Sequence, residues 1–373
     1  MSAFPGGPGG AVWNFMALNG LTYIAGHNGL VGSALFRRLS KDAGRSLVAR
    51  TSSELDLRRQ ADTEKFFKER KIDWVFLAAA KVGGILANST YKAEFIYDNL
   101  AISMNVIDAA YRTGVKKLLN LGSSCIYPKL AAQPIKEDAL LQSALEPTNE
   151  PYAVAKIAAL KMCRYYNEQY GTNYISAMPT NLFGPHDNYN LETAHVLPAM
   201  LRKFDLAGRL KRGDFASLAG NMRKFRLGFG LDEKTDLGDE RSIRAALASL
   251  GITPDGVRLW GSGEVYREFL HVDDMAEACV FLMEKYDYRD IGEVVNIGTG
   301  EDLKLKELAL MIRETVDFDG EINYDAVRPD GTPRKLLDVS KIKALGWQPS
   351  ITLKAGLADS YRWYKSEVEQ AGQ

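Results

Sequence analysis

The string GHNGLVG places glycines at Gly26, Gly29 and Gly32, between a short apolar run (Leu21 to Ala25) and a helix-periodic segment (Ser33 to Leu39). In a strand-to-helix connection the first such glycine permits a tight turn and the second lets backbone approach a pyrophosphate. The third allows the helix to pack closely on the strand. The helix start then offers N–H groups that no carbonyl of the helix can satisfy, a ready site for anionic charge. A glycine triplet alone can be an ordinary β-to-α turn, so the pattern around it has to decide.

That pattern is a sustained alternation. Strands are expected near Ser46 to Ala49, at Lys117 to Leu121 and at Tyr174 to Met178. Another is expected at Trp74 to Ala80, whose unbroken hydrophobicity marks a strand covered on both faces. Helices are expected near Asp62 to Arg70, Ala93 to Arg112 and Pro151 to Tyr170. The expected class is α/β: a Rossmann-type doubly wound parallel sheet with a smaller C-terminal α/β substrate-binding lobe. Residues 21–180 would form the dinucleotide-binding domain, with later segments returning to it, and 181–373 mainly the substrate lobe. In that lobe, helices are expected near Val196 to Leu206, Met275 to Tyr286 and Leu305 to Thr315. Residues 1–20, which include PGGPGG, are expected to be a flexible leader, with Met16 an alternative start. Residues 207–257, rich in charge and glycine, read as an atypical insertion: a surface excursion or a lid, with only Ser242 to Leu250 clearly helical.

Composition narrows the partners. Lys plus Arg (47) balances Asp plus Glu (47), so no net field draws the chain to nucleic acid or to an anionic membrane. No run of about 18 apolar residues is present to span a bilayer. Three scattered cysteines and four histidines without ligand spacing suggest neither a disulfide framework nor a metal site, and point to the cytoplasm.

The loop residues Gly26, His27, Asn28, Gly29, Leu30, Val31 and Gly32 are the expected pyrophosphate cradle. At the end of the second strand stand Arg50, Thr51 and Ser52, with no acid before Glu54. A cation there suits a 2′-phosphate, which favours NADPH over NADH without excluding the latter. Asp56 is better placed for the adenine edge. Ser123 follows the strand Lys117 to Leu121 and stands at its carboxyl-end mouth. Tyr152 and Lys156, four apart, share one helix face. An ammonium beside a phenol is expected to lower the phenol pKa, so that Tyr152 exchanges protons while Ser123 binds a carbonyl oxygen.

The order GHNGLVG, GSSCIYP, Tyr152-x-x-x-Lys156, PTNLFGPHDN, REFLHVDD and NIGTG resembles the extended short-chain dehydrogenase/reductases. More narrowly, AAAKVGGI, GSSCIYPK, EPTNEPYAVAKIA and PDGTPRKLLDV resemble the GDP-L-fucose synthases among them, from Leu21 to about Tyr364 apart from 207–257. The resemblance implies a bifunctional 3,5-epimerase and NADPH-dependent 4-reductase acting on GDP-4-keto-6-deoxy-D-mannose, and a homodimer. It gives Cys125 the role of the base that removes protons beside the C4 ketone, and His195 that of the acid on the opposite face. Leu121, Gly122, Pro179, Asn181 and Leu182 would join Lys156 and His195 around the nicotinamide. Asn181, Lys203, Trp260, Arg267 and Asp330 would hold the GDP-sugar, with Lys224 in the near-repeat MRKFRLG a rival to Lys203. Asn99 would orient Lys156. Family members often carry arginines where this chain has Asn28 and Ser52, which leaves Arg50 to meet the 2′-phosphate. Two other readings stay open: another GDP-4-keto sugar (a heptose or a 3,6-dideoxyhexose), and a non-catalytic cofactor sensor on the same fold.

Overall fold

The computed structural model describes residues 18–327 and 330–372, so the expected leader lies outside the described residues except for Leu18, Asn19 and Gly20. In chain order, the first half comprises β1 (Leu21–Ala25), α1 (Leu30–Leu39), β2 (Ser46–Val48), α2 (Gln60–Arg70), β3 (Trp74–Leu77), α3 (Ile85–Thr90), α4 (Lys92–Arg112), β4 (Lys117–Leu121), α5 (Glu150–Tyr170), β5 (Tyr174–Pro179) and β6 (Asn181–Phe183). There follow α6 (Val196–Lys211), α7 (Phe215–Phe225), α8 (Glu240–Ser249), β7 (Gly256–Trp260), β8 (Tyr266–Arg267), β9 (Phe269–His271) and α9 (Val272–Lys285). The chain continues through α10 (Tyr288–Ile291), β10 (Val295–Ile297), β11 (Leu303–Lys304), α11 (Leu305–Thr315), β12 (Glu321–Asp325), β13 (Arg334–Lys335), α12 (Ser340–Ala344) and α13 (Leu353–Gly372).

A six-stranded sheet runs in the order β2-β1-β3-β4-β5-β10, with every pairing parallel. Successive strand residues face opposite sides of a sheet, and both sides here are apolar. Tyr23, Val75 and Leu118 pack with α2 and α4, whereas Ile24, Phe76 and Leu119 pack with α1 and α9. The chain leaves β1 toward β2 on one side and returns as β3 on the other. This reversal opens a crevice at the carboxyl ends of β1 and β3, where α/β sheets bind ligands. β3 ends at Leu77, short of the expected Ala80, because the backbone beyond it turns under the glycine loop. Lys117, buried at the start of β4, donates to the carbonyls of Leu282 (3.1 Å), Met283 (2.7 Å) and Tyr286 (2.6 Å). It thereby satisfies the last turn of α9 and ties that helix to the sheet.

A second core joins α6, α7, α8, α11 and α13 with β7, through residues such as Phe204, Leu218, Leu247, Ile312 and Tyr364. The segment 207–257 is built into this core, contrary to the expectation of an excursion or a lid. Its charged residues sit on amphipathic helices whose apolar faces are buried: Leu218 and Met222 on α7, Ile243 and Leu247 on α8. Fully buried Arg202 donates to the Asn221 side chain (3.0 Å) and to the carbonyls of Tyr189 (2.8 Å) and Arg226, which fastens α6 to α7. In a small three-stranded sheet, β8 lies between β11 and β13, with Arg267 beside Lys335.

Candidate active site

One cleft of about 770 Å³ runs from the glycine loop across the ends of the sheet strands to β8 and β13. Gly26 has φ of +85°, and a Cβ on it would stand 2.7 Å from the backbone of Ala79. A Cβ on Gly32 would stand 2.0 Å from the Gly26 carbonyl oxygen. Both sites require glycine, one for its turn and close passage, the other for the approach of α1 to that turn. At Gly29 the nearest such neighbour is 3.5 Å away, so a side chain there would occupy ligand space rather than protein. With α1 starting at Leu30, this cradle fits a dinucleotide pyrophosphate.

At the adenosine end, Arg50, Ser52 and Asp56 all line the cleft. Arg50 donates to the Ala49 carbonyl at 2.8 Å. Asp56 is engaged by Arg58 through its backbone N–H (3.0 Å) and guanidinium (2.9 Å), and Arg58 also reaches Asp98 at 3.3 Å. Asp56 is thus neutralised locally rather than left as a free anion. Sequence reasoning passed over Arg58, although an Asp-x-Arg spacing in a turn invites this pairing. Asn28 and the other loop residues line the same wall, as do Leu121, Gly122, Pro179, Asn181 and Leu182. Asn181 donates to the Glu268 carbonyl at 2.8 Å, which fixes the loop after β5.

Ser123, Cys125, Tyr152, Lys156 and His195 meet in the middle of the cleft. Ser123 caps a single 3-10 turn, Ser124–Ile126, its Oγ accepting from the Cys125 N–H at 3.3 Å. Pro151 in the first turn of α5 and left-handed Gly171 after its end fix that helix, and so the placing of Tyr152 and Lys156. Lys156 donates to the Leu121 carbonyl at 2.8 Å, and its Nζ lies 5.8 Å from the Tyr152 ring centroid. Burial pulls the Lys156 pKa down to about 8. The Tyr152 pKa is raised, chiefly by burial and then by the Cys125 charge, with the Ser123 hydrogen bond opposing. The expected depression is therefore not found, because the ammonium is directed at a carbonyl and not at the phenol oxygen.

Cys125 stands differently from the other cysteines. Burial pushes its pKa upward, but the Lys335 ammonium, the Ser123 hydrogen bond and the Arg267 charge outweigh it, and the net shift is downward. Lys335 Nζ and Asn149 Nδ2 each lie 3.3 Å from its sulfur. Cys163 and Cys279 are core residues whose pKa values burial raises, that of Cys163 to about 12. His195, just before α6, is open to the cleft. Its pKa is lowered by the desolvating walls and then by Lys335. Lys335 and Asn149 were missed from the sequence. The basic pair in PDGTPRK was the available signal, but nothing in its spacing links it to Cys125.

The substrate residues divide. Arg267 lines the cleft, beside Gly331 and Thr332. Lys203 and Trp260 stand off its wall. The Lys203 ammonium is taken by the carbonyls of Leu250 (2.8 Å) and Arg258 (3.0 Å), with burial lowering its pKa to about 8. Trp260, half-exposed, sits 6.3 Å from the Phe229 ring. Asp330 binds the backbone (2.7 Å) and hydroxyl (2.8 Å) of Ser262 and shapes the loop before β8. Lys224, the rival to Lys203, pairs with Glu367 at 2.6 Å. Asn99 accepts from the Lys81 N–H and donates to its carbonyl, both at 3.0 Å, so it holds the loop after β3 rather than Lys156.

The model of the NAD dependent epimerase/dehydratase family matches residues 22–218 and 229–298. The chain is 48% identical to GDP-L-fucose synthase 1 of Arabidopsis thaliana, over 93% of each chain. It is 47% identical to the GDP-L-fucose synthase of Escherichia coli, over 92% of this chain and 95% of that one. Among solved structures, a GDP-D-glycero-L-gluco-heptose synthase from Campylobacter jejuni, in the presence of NADPH, superposes with a TM-score of 0.85. It shares 40% identity over 94% of this chain and 99% of that one.

Proposed function

This chain belongs to the NAD dependent epimerase/dehydratase family, and from that premise we propose that it converts GDP-4-keto-6-deoxy-D-mannose to GDP-L-fucose, as a 3,5-epimerase and NADPH-dependent 4-reductase. One observation carries the reading. A reductase set (Ser123, Tyr152, Lys156) and two further proton-transfer groups (Cys125, His195) face one cleft with the glycine cradle. A plain reductase needs only the first set, and a cofactor sensor needs neither.

The C4 ketone acidifies the hydrogens on C3 and C5. Cys125 as thiolate removes the proton at each carbon in turn, and His195 returns one to the other face of each, both groups exchanging with solvent between the rounds. Ser123 and Tyr152 hold the enolate oxygen by hydrogen bonds aimed at the developing charge. Bound in the cradle, the reduced nicotinamide supplies the hydride equivalent for C4. Tyr152 then protonates the C4 oxygen, and its raised pKa keeps the phenol protonated for that step. Lys156 orients the nicotinamide ribose. Arg267, on the cleft wall, pairs with the diphosphate. NADPH is favoured by Arg50, with Asp56 already neutralised by Arg58. Residues 21–180, with α9 and β10 returning to the same sheet, serve the cofactor, and 181–373 mainly the sugar nucleotide. A cytoplasmic location suits the three free cysteines.

Incubation in D2O with GDP-4-keto-6-deoxy-D-mannose and NADPH should give GDP-L-fucose carrying deuterium at both C3 and C5 by NMR. Absence of cofactor oxidation rules the reading out. Oxidation without deuterium leaves a reductase only. Faster turnover of a GDP-4-keto-heptose transfers the assignment to that sugar; the Campylobacter protein is named for a GDP-heptose.

The long helices α4 and α5 also expose Tyr97, Met104, Val154 and Tyr165, an apolar face suited to pairing across a two-fold axis. Sedimentation is expected to find a homodimer that Met104→Asp disrupts; a monomeric parent protein would remove this part of the proposal.

A further inference from the structure

Lys335 lines the cleft yet takes no part in the proton transfers to and from carbon. Lys335 comes from β13, and its parallel register with β8 sets it beside Arg267. Two cations are thereby presented to one wall of the cleft, and the nearer places its ammonium 3.3 Å from the Cys125 sulfur. Asn149, just before α5, donates to the same sulfur at 3.3 Å. The other ionisable groups around it are Tyr152 and His195 in the cleft, and Arg334, Lys129 and Glu146, the last two paired at 3.0 Å. The charges facing this sulfur are therefore predominantly positive.

We propose that Lys335 is a positioning residue that holds Cys125 as a thiolate and favours its return to that state between the two epimerisations. This deepens the reading above and rests on Cys125 being the base. Two carbons are served by one sulfur, so Cys125 must shed the first proton before it can take the second. In each abstraction the proton passes from carbon to sulfur and the C–H pair becomes the enolate. Between the two abstractions the sulfur releases its proton to solvent water, while Lys335 stays an ammonium throughout and neither gains nor loses a proton. An adjacent cation favours the charged form of a thiol by about 1–3 pKa units. Cys163 and Cys279 lie in apolar packing and serve as internal controls.

The test follows alkylation of full-length protein by iodoacetamide across pH, reading the Cys125 peptide by mass spectrometry, with Cys125→Ala as the zero. Lys335→Met is expected to raise the midpoint by about one unit or more and to slow alkylation at pH 7 by about tenfold. Lys335→Arg should restore most of the shift. In D2O, the ratio of deuterium exchange to cofactor oxidation should fall about tenfold in Lys335→Met. An unchanged midpoint in Lys335→Met, folded by circular dichroism, overturns the proposal. A shifted midpoint alongside a parent enzyme that exchanges no deuterium supports the Lys335–Cys125 pairing and rejects Cys125 as the base, so the two failures are distinct.

Discussion

Tyr152→Phe is expected to lower the rate of NADPH oxidation by about 10²- to 10⁴-fold, the usual range for loss of a positioned proton donor. The ring stays where it is, edge-on to Phe95 at 6.4 Å, and only the hydroxyl is lost. Stability and cofactor affinity should therefore change little, which separates this variant from one that fails to fold. In the reductive direction the phenol must be protonated, and its raised pKa keeps it so across the neutral range. A fall in rate in the parent enzyme above about pH 8 would then report Lys156, whose ammonium is half lost near that value. The variant is checked by single-turnover absorbance and by fluorescence titration with NADPH. A rate within tenfold of the parent removes Tyr152 from the proton-transfer step.

The glycine loop and the Tyr152 and Lys156 pair were legible because their chemistry is local. Four residues of helix set the pair, and a strand–loop–helix string sets the cradle. What local spacing could not supply was the direction of an ammonium. Lys156 finds a carbonyl on β4 rather than the Tyr152 phenol, and Lys203 is absorbed by two carbonyls near β7, so the string alone does not say where a lysine spends its charge. Lys335 is the converse. It lies 210 positions from Cys125, and only the packing of β13 against β8 brings the two together. The segment 207–257 departs from its expectation for a related reason. Its frequent charges and glycines read as surface, yet its few apolar residues recur on one face of α7 and α8 and complete the second core. Asn99 also illustrates the limit, since both ends of its amide are used on backbone that no periodicity could have named.

Cys125→Ser separates the two chemistries of the cleft. A serine hydroxyl is far too weak an acid to exist as an alkoxide there, so the base is lost although the size and hydrogen-bonding shape are nearly kept. Deuterium exchange at C3 and C5 is expected to drop by about 10³-fold or more, in line with loss of an activated nucleophile or base. The ketone, still held by Ser123 and Tyr152, remains reducible, so the product should be reduced at C4 with its original configuration at C3 and C5. NMR of the isolated sugar nucleotide distinguishes this product from the epimerised one by its ring coupling constants. If oxidation of NADPH disappears together with exchange, Cys125 serves the reduction as well, and the two chemistries do not divide between separate groups. If exchange persists, the proton is being removed by another group, for which His195 on the same cleft is the first candidate.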